Sequence, residues 1–60
     1  MNKNQCDTIL SGLLGSEELV IKWWNSKNNA FNMLTPNEQW DVNKESVIDY
    51  VVGQLNGDYL

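Results

Sequence analysis

The sequence predicts a mainly α fold, a small single-domain bundle of three or four short helices. Three observations carry that expectation. Sixty residues make one domain at most. Apolar residues recur at helical spacing, and the strict alternation that marks half-buried strands is missing. Each apolar stretch is also bracketed by residues that start or stop helices.

The first helix is expected after Asp7, a good N-cap, with Ile9, Leu10, Leu13 and Leu14 on one face. Gly15 stops it, and Gly12 weakens it. Residues 1–14 thus read as an N-terminal tail and a short helix, with Cys6 near a frayed terminus. Ser16 caps a second helix, whose first turn holds Glu17 and Glu18, where the helix dipole favours acids. Val20, Trp23 and Trp24 follow at i, i+3 and i+4, and Glu18 and Lys22 form an i, i+4 pair on the other side. This helix fails near Asn25, because Asn25, Ser26, Asn28 and Asn29 compete with the backbone for hydrogen bonds.

A loop or short turn then carries Ala30, Phe31, Met33 and Leu34. Thr35-Pro36-Asn37-Glu38 is the clearest local signal. Thr35 is the N-cap, Pro36 loses no helical hydrogen bond at N1, and Glu38 at N3 closes a capping box. A short helix through Trp40 follows, and Asn43 caps a last one. That one carries Val47, Ile48, Val51, Val52 and Leu55 as one broad apolar stripe, and Gly57 ends it.

Composition narrows the function classes. One cysteine and no histidine allow neither an internal disulfide nor a zinc site, so stability must come from a few large side chains or from burial against a partner. The net charge is −4, with four lysines and no arginine, which argues against a nucleic-acid partner and favours a basic protein partner. No stretch is long and apolar enough for a membrane span, and the polar N-terminus is no signal peptide, so a cytoplasmic location is expected.

Without histidine, acid–base catalysis would fall to carboxylates. Five of the eight, Asp7, Glu17, Glu18, Glu38 and Glu45, stand at expected caps or first turns, where the helix dipole explains them. Asp41-Val42-Asn43-Lys44-Glu45 resembles the opening of a calcium loop, but Ser46 replaces its glycine and Val52 its bidentate glutamate. The expectation is a protein that is not an enzyme, with no catalytic residue, cofactor or metal.

Adjacent helical residues point about 100° apart, so Trp23 and Trp24 cannot both sit centrally in one small core. One ring faces the core and the other its edge or an interface, or both are partly buried core residues. Tyr59 and Leu60 form an amphipathic end beyond Gly57, either a frayed terminus or an insertion plug, and pattern alone favours the terminus.

The motif run Gly15-Ser16-Glu17-Glu18, Trp23-Trp24, Asn28, Ala30-Phe31, Thr35-Pro36 and Glu38 resembles, in order and spacing, the Xre/MbcA/ParS-type antitoxin toxin-binding domain. That domain typically reads as a G-S-x-E helix start, a W-L pair, an N-x-A-L/F turn and a T-P-x-E helix start. It closes on a G-x-Y tail, matched here by Gly57-Asp58-Tyr59. The resemblance covers residues 15–60.

It implies a mostly helical domain that binds and neutralises a RES-type, NAD-consuming toxin by covering its active site. Expected partner-binding residues are Trp24, Tyr50 and Gln54, together with the tail Gly57, Asp58, Tyr59 and Leu60. There are departures. Asn32 and Met33 replace the turn glycines usual before the T-P pair; asparagine tolerates positive φ, whereas methionine predicts a changed conformation. Lys27 replaces a common proline, and the arginines usual around the tryptophan are mostly missing.

Fourteen residues precede Gly15, too few for the helix-turn-helix domain such antitoxins generally carry. A free-standing version reads as a minimal antitoxin, or as a mobile-element protein, a phage one for instance, that counters a host toxin. The alternative expectation is a self-associating structural or adaptor domain, with Val47, Ile48, Val51 and Leu55 as a homo-oligomer interface.

Overall fold

A computed structural model describes residues 1–57 of the chain. Three helices, α1 (Lys3–Leu14), α2 (Glu17–Trp24) and α3 (Pro36–Asn56), pack around one core, with a 3-10 turn at Asn29–Phe31 and no sheet among the described residues. The radius of gyration, 10.5 Å, matches the value of about 10 Å expected for a compact chain of this length. Among the described residues no helix is long and apolar enough to cross a membrane.

α1 starts five residues earlier than expected. Its cap is Asn2, not Asp7: the Gln5 N–H donates to Asn2 Oδ1 and the Asn2 N–H to Gln5 Oε1, both at 2.9 Å. An Asn-x-x-Gln pair closes a capping box as a Ser-x-x-Glu pair does, and it draws the tail into the helix. The inward face shifts accordingly. Cys6 and Leu10 are buried and Ile9 partly so, whereas Leu13 and Leu14 are 45% and 36% exposed. Cys6 is therefore a core residue rather than part of a frayed end. Gly15 ends α1 in the left-handed conformation at φ 88°, its N–H donating to Ser11 O.

Ser16 caps α2 through the Leu19 N–H, as expected. The helix ends where Asn25 Nδ2 donates to Ile21 O and Ser26 Oγ to Lys22 O, the side-chain competition anticipated there. Residues 28–34 then fold into a closed turn. Asn28 Oδ1 accepts from the Ala30 N–H, Asn28 O accepts from the Phe31 and Met33 N–H groups, and the Asn28 N–H donates to Leu34 O. Asn32 and Met33 both adopt positive φ, 55° and 68°. Met33 thus takes the conformation that its residue type argued against.

Thr35 and Glu38 form the expected capping box, with Pro36 at the helix start. α3 is broken at Asn43, whose φ of −159° and ψ of 89° are extended backbone. Asn43 was the expected start of a last helix, and the break falls there: Asn43 O accepts from Ser46 Oγ, which accepts in turn from Gln39 Nε2. Beyond the break, Val47 and Val51 are fully buried and Ile48 is 8% exposed, while Leu55 is 59% exposed. The stripe thus closes the chain's own core against Cys6, Leu10, Val20, Trp24 and Phe31. Most of the self-association face expected from it is already occupied.

Candidate functional site

Tyr50, Gln54 and Gly57 recur at i, i+4 and i+7 and so share one face of the last turns of α3. Beside them stands Trp23 of α2. Its ring stacks on Tyr50 with centroids 6.1 Å apart and planes 23° apart. Phe31, from the 3-10 turn, meets both rings edge-on, at 6.4 Å from Trp23 and 5.3 Å from Tyr50. Phe31 is buried, while Trp23 and Tyr50 are half-buried, so two aromatic rings border solvent on a buried third. Such rings present large, stiff contact area with little entropy to lose on binding.

Gln54 lies one turn beyond Tyr50. Its Nε2 is shielded from solvent and meets no hydrogen-bond acceptor. A shielded amide left without an acceptor costs about 1–3 kcal/mol. Gly57 then turns the chain off the helix at φ 72°, a conformation that favours glycine. The expected contacts Asp58, Tyr59 and Leu60 lie outside the described residues.

Trp24, the remaining expected contact, faces the other way. It is 6% exposed, and its indole Nε1–H donates to Asp7 Oδ1 at 2.6 Å. The ring meets Trp40 edge-on at 5.8 Å, and Lys3 Nζ lies 5.1 Å from its centroid and 5.6 Å from that of Trp40. Lys3 Nζ also donates to Asn37 Oδ1, and Asn37 Nδ2 to Asn25 Oδ1, so this cluster ties all three helices together. Trp24 is a core pin, with almost no surface left for a partner.

The ring that borders solvent is Trp23. Which ring of the tryptophan pair faces out is decided by tertiary contacts, with Asp7 and Lys3 of α1 and Trp40 of α3 around Trp24 and Tyr50 of α3 on Trp23. The two rings meet nearly perpendicular, 82° apart with centroids at 5.1 Å.

The remaining titratable groups bear on chemistry. Burial, and next the Asp7 carboxylate, push the Cys6 thiol above its ordinary value, which disfavours the nucleophilic thiolate. Hydrogen bonds from Thr35, the backbone N–H first, hold the Glu38 carboxyl below its ordinary value, as a capping residue requires. Among the described residues no group of three or more His, Cys, Asp or Glu side chains is placed to hold a metal ion. The face formed by Trp23, Tyr50, Gln54 and Gly57 is aromatic and polar, with no titratable carboxylate or thiol among these four residues. No family model, curated protein or solved structure matches the chain.

Proposed function

We propose that this chain is a protein-binding module that neutralises a toxin by covering its active site, as its resemblance to the Xre/MbcA/ParS-type antitoxin domain implies. The observation that carries the reading is the backbone at Asn32 and Met33. The resembled domain has glycines there, and this chain holds positive φ at both positions with non-glycine residues. A left-handed pair costs L residues about 1–2 kcal/mol each, so the turn's shape persists against side-chain preference. The side-chain and backbone bonds that lock Asn28, Phe31, Met33 and Leu34 supply the compensation.

That turn sets Phe31 against Trp23 and Tyr50. It thereby supports the contact face at whose end Gly57 closes the helix. In this reading Trp23, Tyr50 and Gln54 grip the rim of a RES-type, NAD-consuming enzyme, and Tyr59 and Leu60 lie near its pocket.

The test is co-expression with a RES-type enzyme, measuring complex formation and NAD⁺ consumption. The full chain is expected to co-purify and to suppress NAD⁺ loss. Removal of residues 57–60 is expected to restore NAD⁺ loss while partly preserving the complex. Suppression that survives this truncation would refute the tail's role, and failure of the full chain to bind would refute the toxin class.

A further inference from the structure

On a different part of the surface, α1 and α2 enclose an open groove of about 290 Å³. Asp7 and Ser11 line it from α1, and Glu17, Val20, Ile21 and Trp24 line it from α2. Its chemistry is two-sided. Ile21, 58% exposed, gives it an apolar wall, backed by the buried Val20 and Trp24. Asp7 and Glu17 add two carboxylates, and no lysine lines the groove to balance them. Lys3, although over the Trp24 ring, is held by Asn37 and Trp40 and is not part of the lining.

We infer that this groove receives an arginine side chain presented by a partner protein. Two carboxylates stand in a groove without a cation, on a chain of net charge −4. Among cations, arginine fits the groove's two-sided chemistry. Its stem covers exposed apolar surface such as that of Ile21, and its fork of N–H donors serves two carboxylates at once. Asp7 Oδ1 is engaged by Trp24, which orients the carboxylate. Oδ2 of that carboxylate and the Glu17 carboxylate are the acceptors for the guanidinium. The inference does not depend on the toxin reading, because its test involves no toxin.

The test is an NMR titration of the isotopically labelled full chain with acetyl-Gly-Arg-Gly-amide. The citrulline peptide, of the same shape but neutral, is the control. The arginine peptide is expected to shift the Trp24 indole N–H and the Ile21 methyl signals saturably, and the citrulline peptide to shift neither.

Glu17→Gln should weaken binding about two- to fivefold, as expected for one partly exposed ion pair. Ile21→Lys, at an exposed position that tolerates the change, should abolish it. Asp49→Asn removes the same charge from an exposed position on α3 and should leave binding unchanged. Equal binding of the citrulline peptide, equal weakening by Asp49→Asn, shifts centred on Trp23 and Tyr50, or no saturable shift would each overturn the inference.

Discussion

Asp7→Ala isolates the bond that ties α1 to α2. In the folded chain the Trp24 indole N–H donates to Asp7 Oδ1 at 2.6 Å, and Trp24 is 6% exposed. Removing the carboxylate leaves that donor without its acceptor at the edge of the core. A hydrogen bond to a charged group contributes about 1.5–3 kcal/mol. Alanine recovers some of this, because aspartate inside a helix costs roughly 0.5 kcal/mol more than alanine. The net loss is about 1–2.5 kcal/mol. In a domain this small each kcal/mol moves Tm by about 4–8 °C, so a fall on the order of 10 °C is expected.

The assay is urea unfolding at pH 7, followed by tryptophan fluorescence and by circular dichroism, with the m-value checked for constancy. Asp7→Asn keeps a neutral acceptor and should lose about half as much. An Asp7→Ala stability within about 0.5 kcal/mol of the parent chain would refute the reasoning, since that is the scatter of an ordinary surface change.

Other outcomes follow from the same geometry. Thr35→Ala removes the cap of α3 and should cost about 1 kcal/mol in chemical denaturation. Because hydrogen bonds from Thr35 depress the Glu38 pKa, their stabilisation is fully present above the ordinary value of 4.5 and is lost as pH falls through the folded value. Unfolding midpoints measured from pH 6 to pH 2 should therefore fall less steeply for Glu38→Gln than for the parent, and parallel curves would contradict the assignment. Cys6 should react with a thiol reagent far more slowly in the native chain than in denaturant, since it is fully buried and its thiolate is disfavoured; equal rates would place it outside the core. Met33→Val puts a β-branched residue at φ 68°, so thermal melts should find it less stable than Met33→Gly by about 1 kcal/mol.

Helix punctuation was legible in the sequence because it depends on neighbours three or four residues apart. Ser16 with Leu19, Thr35 with Glu38, the glycines at 15 and 57 and the break at Asn43 all stand where local hydrogen bonding puts them. The exception, the start of α1, is local too. Asn2 and Gln5 form a capping box as readable as the one at Thr35, but Asp7, an equally good cap residue, stands just before the apolar run of residues 9–14 and drew the expected boundary to itself.

The candidate face was legible in part. Helical spacing alone puts Tyr50, Gln54 and Gly57 on one side of α3, yet the choice between Trp23 and Trp24 was open. That choice, the burial of Cys6 and the exposure of Leu13 and Leu14 were settled only by tertiary structure. The deciding contacts join Asp7 to Trp24, 17 positions apart, and Lys3 to Asn37, 34 apart. Met33 belongs with them, since its left-handed backbone is imposed by the bonds that close residues 28–34 and not by its own preference. A cap is chosen by the few residues that form it, whereas a buried face is chosen by whatever packs against it.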